Sequence, residues 1–332
     1  MSTPTLPEAP LDAPAPKFDE VTASQPCDLQ ICETIPATRA ALRALRARSG
    51  ANSTLGLVPT MGALHEGHLS LIRAARAQCD VVAVSLFVNP TQFAPGEDLD
   101  KYPRTWDADC ALLQKEGVDL LFAPSPEVMY PVGAGESSAG GSETWVDVPA
   151  VGARLDGRSR PHHFRGVATV VSKLFHILTP DFAFFGQKDA AQVAVLRAMV
   201  RDLHFPITLV VCPTVREPDG LALSSRNRYL SPAERVQALA ISHALETARA
   251  LAATGCESPH VLTEMLRADL NRAPGLRLEY AEVVDPDTLL PVADLRGGAL
   301  LAVAAHVGTT RLIDNVAVPP VGSSSPDFEG RR

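Results

Sequence analysis

The sequence predicts an α/β protein in which a doubly wound parallel sheet is followed by a second, smaller α+β unit. Five short apolar runs alternate with segments whose apolar residues recur three and four apart, the pattern of buried parallel strands and their covering helices. Past Pro213 the order changes to two helical patterns and then three alternating strands. With 332 residues, 46% of them apolar, the chain is long enough to bury two cores.

Residues 1–25 are rich in Pro, Ala and Thr, and Glu8, Asp12, Asp19 and Glu20 outnumber Lys17. Burial there cannot offset the entropy of ordering, so a disordered tail is expected, too acidic for a mitochondrial targeting peptide. Residues 26–213 form the first unit. Its strands are expected at 55–58, 81–88, 120–123, 182–185 and 207–212, bounded by Gly, Pro or Asp. Helices are expected at 68–78, 105–116, 166–178 and 190–202; in the third, Val167, Val170, Val171, Leu174 and Leu178 share one face. Such a Rossmann-like unit opens its ligand cleft at the carboxyl ends of the strands. Residues 214–318 form the smaller unit. Ser231-Pro232-Ala233-Glu234 is a capping box with proline at the first helical position, opening an alanine-rich helix to about Ala253, and Ser258-Pro259 opens another. Strands follow at 276–284, 299–307 and 309–318. Residues 319–332 are expected to fray, and 133–142 to be a flexible Gly/Ser loop.

Composition narrows the function. A formal charge of −8 provides no general attraction for nucleic acid or an anionic membrane, although a local basic pocket can still hold phosphates. No apolar stretch reaches membrane-spanning length, and the N-terminus lacks a basic and apolar signal pattern. Cys27, Cys32, Cys79, Cys110, Cys212 and Cys256 form no Cys-x-x-Cys pair, which fits free thiols in a reducing cytoplasm.

The chemistry is concentrated where the first long strand gives way to a helix: Pro59-Thr60-Met61-Gly62-Ala63-Leu64-His65-Glu66-Gly67-His68. A helix N-terminus presents unpaired N–H groups and the positive end of the helix dipole, so phosphates are stabilised there. Histidines three apart share a face of the first turn and can donate to phosphate oxygens, and the glycines admit a bulky ligand to the backbone. The alternative is a turn carrying two surface histidines. A zinc site is less favoured, because the metalloprotease signature spaces its histidines four apart.

Four further segments follow strands or flank the expected cleft. Gly186-Gln187-Lys188-Asp189 puts a lysine at a helix start, or else is simply a capped helix with a solvated lysine. In Leu223-Ser224-Ser225-Arg226 two hydroxyls and a guanidinium can hold a polyphosphate, where an ordinary interdomain loop is the other reading. Gln92, after Asn89-Pro90, offers an uncharged amide to hydroxyl or carboxylate groups, or else belongs to a plain turn; Gln192 lies one turn into its helix on the side expected to face the cleft, where an exposed helix glutamine is the commoner reading. Residues 160–166, Arg-Pro-His-His-Phe-Arg-Gly, form a basic loop and not a metal cluster, since adjacent residues of an extended segment point apart.

With these motifs in hand, the chain resembles the pantothenate synthetases, ligases of the nucleotidyltransferase superfamily with His-x-Gly-His signatures. The likeness runs in order through PTMGALHEGH, FVNPTQF, YPRT, RPHHFRGV, FFGQKD, VREPDGLALSSRNRYL and GTTRLIDN. It implies ATP, pantoate and β-alanine as substrates, Mg²⁺ as cofactor and a cytoplasmic homodimer. It further implies an ATP site from Pro59 to His68, completed by Gly186, Gln187, Lys188, Asp189, Val215 and Leu223 to Arg226. His68 would be the catalytic proton donor or phosphate stabiliser, assisted by His65, Lys188 and Arg226. Gln92 and Gln192 would bind pantoate, Gln92 would also approach β-alanine, and Tyr102 and Asp156 match cleft positions. Three positions depart from the common pattern: Ala108 interrupts the acidic run Thr105–Asp109, Gln187 replaces a frequent Glu, and Ala191 precedes Gln192. The first leaves the protein ligand for Mg²⁺ unassigned.

The expected reaction is attack of the pantoate carboxylate on the α-phosphorus of ATP, followed by displacement of AMP by the β-alanine amine, under a smaller domain that closes as a lid. Rival readings are another adenylyltransferase of the superfamily, an aminoacyl-tRNA synthetase, for which no tRNA-sized basic surface exists, and a non-catalytic nucleotide sensor.

Overall fold

The computed structural model describes residues 29–94, 99–131 and 143–320. The expectations for residues 1–25, for the loop at 133–142 and for 321–332 fall outside the described residues.

Six parallel strands form the larger sheet: β1 (Gln30–Cys32), β2 (Leu55–Thr60), β3 (Val81–Leu86), β4 (Leu120–Phe122), β5 (Phe182–Gly186) and β6 (Thr208–Cys212), in the order β1-β4-β3-β2-β5-β6. β2 to β4 are almost wholly buried, because helices cover both faces of the sheet; this is why they read as unbroken apolar runs. From the centre the chain winds outward through β3 and β4 on one side and through β6 on the other. The order therefore reverses between the adjacent strands β2 and β5, which opens a crevice at their carboxyl ends.

The helix His163–Leu178 packs on this sheet. Its predicted face is wholly buried, Val167, Val170, Val171, Leu174 and Leu178 being at most 6% exposed, and each such side chain contributes roughly 1.5–3 kcal/mol of transfer free energy. The helix begins three residues earlier than its periodicity suggests, because His162 adopts a left-handed conformation and turns the chain into it. Several elements have no counterpart in the sequence reading: β1, three residues long and mostly exposed, the helix Ile35–Ser49 that follows it, and the one-turn helices Pro126–Met129, Pro149–Gly152 and Asp156–Ser159.

The C-terminal sheet is antiparallel, β7 (Leu276–Val284), β8 (Ala299–Val307) and β9 (Thr310–Val318) in that order. The helices Pro232–Ala253, with the expected Ser231/Glu234 capping box, and Pro259–Arg272 cover one face. β8 alternates between two cores. Leu301, Val303 and Ala305 face these helices, whereas Leu300, Ala302 and Ala304 join the core of the larger sheet. Both faces of β8 are thus buried, and the two sheets share packing across their junction.

Candidate active site

The turn after β2 is shaped by a carboxylate remote in sequence. Asp109, 2% exposed, accepts from the backbone N–H of Ala63 through Oδ2 (2.9 Å) and of Leu64 through Oδ1 (2.8 Å), and Thr105 Oγ1 donates to Oδ2 (3.1 Å). Gly62 (φ 84°) and Ala63 (φ 52°) take left-handed conformations to make this turn. The chain then enters the helix Glu66–Gln78 with His65 as its N-cap.

The two imidazoles lie against each other at the helix mouth, ring centroids 4.1 Å apart and planes tilted by 36°. His68 Nδ1 accepts from the backbone N–H of His65 (3.3 Å), so the proton of neutral His68 resides on Nε2. Burial, and then the neighbouring His65, lower the His68 pKa to about 3; burial and the charge of Lys188 lower that of His65 to about 4. Both rings are therefore neutral hydrogen-bond donors near pH 7. Gly67 keeps them in place, because a Cβ there would stand 3.0 Å from His65 Cε1.

Across the crevice, Gly186–Asp189 follows β5. Lys188 lies 3.4 Å from Asp189 Oδ1, while Gln187 turns towards the C-terminal sheet and donates to Asn315 Oδ1 (3.0 Å). The third wall is a hairpin in which Leu223 N–H donates to Val215 O (2.9 Å) and Arg216 bridges Ala222; its end leads into the turn Ser225–Tyr229, capped by Ser224.

Gln92 is pinned twice. Its side-chain Oε1 accepts from Asn89 Nδ2 (3.1 Å) and its Nε2 donates to Met61 Sδ (2.9 Å), while its backbone carbonyl accepts from His163 Nδ1 (2.8 Å) and Arg160 Nη2 (3.3 Å). Asn89 is 1% exposed and itself anchored: Tyr130 Oη donates to its Oδ1 (2.8 Å), and its Nδ2 also donates to Gly166 O (3.2 Å). Lys173 stands over the Tyr130 ring at 4.2 Å.

These walls enclose a cavity of about 250 Å³ lined by Pro59, Thr60, Met61, His65, His68, Gln92, Gly186, Lys188, Asp189, Gln192 and Leu223 to Arg226, with Tyr102. It continues into a wider space of about 710 Å³ between the two sheets, which Lys188, Gln192, Arg226 and Asp156 also line. Gly62, Ala63, Leu64, Glu66, Gly67, Gln187 and Val215 are not among the cavity's walls. Glu66 instead pairs with Arg73, and the others shape the backbone of the walls. Arg160 and His163 line the cleft, as a basic loop there should. The sequence reading did not single out Asp109, Tyr130 or Lys173. Among the described residues no group of three or more His, Cys, Asp or Glu side chains could hold a metal ion.

A doubly wound α/β fold with paired helix-mouth histidines, a lysine and an arginine around the crevice at its switch point defines an enzyme of the nucleotide-activating kind. The chain belongs to the pantoate-β-alanine ligase family, whose model matches residues 30–317. It is 57% identical to the pantothenate synthetase of Acidobacterium capsulatum over 292 residues, 86% of this chain and 95% of that protein. Similarity to the pantothenate synthetase of Koribacter versatilis is 54% identity over 296 residues, 89% and 98% of the two chains. Among solved structures, the pantothenate synthetase of Thermus thermophilus matches with a TM-score of 0.79 at 46% identity, covering 88% of this chain and 100% of that one. The pantoate-β-alanine ligase of Francisella tularensis, solved with βγ-ATP and β-alanine, matches with a TM-score of 0.69 at 32% identity, covering 90% and 100%.

Proposed function

We infer that this protein condenses pantoate with β-alanine to pantothenate at the expense of ATP, through pantoyl adenylate. The observation that carries the reading is the union of family membership with a crevice in which His65, His68 and Lys188 stand near two glutamine amides.

A carboxylate is a poor acyl donor, so activation comes first. A pantoate carboxylate oxygen attacks the α-phosphorus, a P–O bond forms as the bond to the bridging oxygen breaks, and pyrophosphate leaves. The β-alanine amine then attacks the acyl carbon, C–N forms, C–O breaks, AMP leaves and the amine releases a proton. In the first step His68 donates a hydrogen bond from Nε2 to a phosphate oxygen as neutral imidazole, since its lowered pKa leaves little imidazolium at neutral pH. Lys188 and Arg226 add full charges, and Ser224 and Ser225 add hydroxyl donors. The second N–H of the Gln92 amide, the first being directed at Met61 Sδ, suits the carboxylate or hydroxyl of pantoate, and Gln192 joins it. Asp109 is committed to the turn at 62–64, and no carboxylate cage exists among the described residues, so Mg²⁺ is proposed only as the companion of ATP, held by its phosphates.

The division near Thr214, closure over the cleft, cytoplasmic residence and a homodimer rest on the sequence patterns and the family resemblance. Among the described residues no helix is long and apolar enough to cross a membrane. The test is stoichiometry: with all three substrates, AMP, pyrophosphate and pantothenate should form one to one to one. Omitting pantoate should abolish AMP release, and product formation in the absence of pantoate would contradict the reading.

A further inference from the structure

The motif GTTRLIDN ends the chain's ordered run of family motifs, yet none of the roles above falls on it. In the structure it forms β9, and two of its consecutive residues, Asp314 and Asn315, are each 4% exposed. Neighbours along a strand point to opposite sides, and here each side meets a different wall of the crevice.

Asn315 reaches the turn after β5. Its Nδ2 donates to the carbonyls of Gln187 (3.0 Å) and Lys188 (2.9 Å), and its Oδ1 accepts from Gln187 Nε2 (3.0 Å). Asp314 reaches the root of the opposite hairpin. Its carboxylate takes Arg216 in a two-point pair (2.6 and 3.0 Å), and the same guanidinium donates to Gly220 O (3.2 Å). The two residues are tied to each other, because Asp314 Oδ1 accepts from the backbone N–H of Asn315 (2.8 Å). Two loops that meet only across the crevice are thereby referenced to one dipeptide on a strand whose sheet packs against both cores.

An apolar pair could fill this junction without desolvating a carboxylate and a guanidinium, so the polar arrangement gains geometry in preference to burial. The geometry it sets is the separation between Lys188 and the segment Ser224–Arg226. We propose that Asp314 and Asn315 are positioning residues for adenylate formation, holding the Gln187–Lys188 turn and the 215–226 hairpin at the spacing that lets both grip one polyphosphate. Neither lines the smaller cavity that holds the paired histidines. The proposal rests on the reading of Lys188 and Ser224–Arg226 given above.

Asn315→Asp is the informative substitution. It is isosteric and keeps an acceptor for Gln187, but it removes both donors and sets a carboxylate against two carbonyls. Pantoate-dependent exchange of labelled pyrophosphate into ATP should lose at least about tenfold in kcat, the scale of misplacing a transition-state donor. KM for pantoate should stay within about twofold, because Gln92 is held by Asn89, Arg160 and His163 and not by the turn that Asn315 grips. A purely structural role would lower the melting temperature and leave kcat of the folded fraction intact. If Asn315→Asp does not fold, Arg216→Lys decides, since it keeps the charge and loses the two-point grip on Asp314; the same split is expected. Lys188→Ala is run in parallel. Slow exchange in Lys188→Ala with wild-type kcat in the folded positioning variants overturns the proposal alone. Near-normal exchange in Lys188→Ala overturns the underlying reading of the lysine, and the proposal with it.

Discussion

Replacing Asp109 by asparagine tests how the entry to the paired histidines is built. The carboxylate is 2% exposed, and each oxygen accepts one backbone N–H, from Ala63 at 2.9 Å and Leu64 at 2.8 Å. Hydrogen bonds to a charged acceptor are worth roughly 1.5–3 kcal/mol, and a buried donor left unmatched costs roughly 1–3 kcal/mol. Asparagine keeps one acceptor and converts the other into a donor, so one of the two N–H groups must face an N–H₂ whichever way the amide is turned. The expected loss is about 2–4 kcal/mol. Urea unfolding at neutral pH should report it as a lower midpoint at unchanged slope. Because this turn leads directly into His65, the folded variant should also exchange pyrophosphate about tenfold more slowly, by the sensitivity of catalysis to small misplacements. A stability change below about 0.5 kcal/mol, the range of an ordinary surface substitution, would refute the claim that Asp109 holds the turn.

Gly166→Ala should damage the acid-binding side, since a Cβ at 166 would lie 2.4 Å from the backbone oxygen of Thr91 and must displace the turn carrying Gln92. Alanine's helix propensity, better by about 1 kcal/mol, should not compensate, and KM for pantoate should rise severalfold with loss of thermal stability. Gln92→Ala, by contrast, should raise KM for pantoate with a near-normal melting temperature; an unchanged KM would remove it from the pantoate site. Acid should destabilise the ligand-free protein in two windows. Below pH 6.5 the unfolded chain protonates His68 while the folded chain, with its pKa of about 3, does not, so stability falls by about 1–2 kcal/mol on reaching pH 5. Arg311 and its neighbours hold Glu279 at about 2, so its stabilising contribution is present above pH 4.5 and is lost as pH falls from 4.5 towards 2. Calorimetry of His68→Ala should show a smaller loss between pH 7.5 and 5 than the parent chain, and equal losses would contradict the buried neutral imidazole.

The elements legible in the sequence are those whose signal is local. β2 to β5 stand out because strands buried on both faces must be apolar throughout, and the capping box at Ser231 announces its helix within four residues. β1 escapes because three residues carry no periodicity, and β3 stops at Leu86, short of the apolar run, because the chain leaves the ladder to build the Asn89-capped turn. The His65–His68 contact follows from spacing alone. What supports the site does not. Asp109 lies in an acidic run in which the interruption at Ala108 leaves any Mg²⁺ ligand unassigned, and its carboxylate serves a turn more than forty residues away. Asn315 grips Gln187 and Lys188 from well over a hundred residues along the chain. No local pattern distinguishes such residues from ordinary polar ones, because their partners are supplied by the fold.

The central claim, that the carboxylate partner is activated before the amine enters, is tested most directly by exchange of labelled pyrophosphate into ATP with one acceptor at a time. Pantoate alone should support exchange and β-alanine alone should not. His68→Ala should remain folded while the pantoate-dependent rate falls by at least about a hundredfold, the scale of removing one transition-state donor. Exchange driven by β-alanine alone, or near-normal exchange in His68→Ala, would contradict the account.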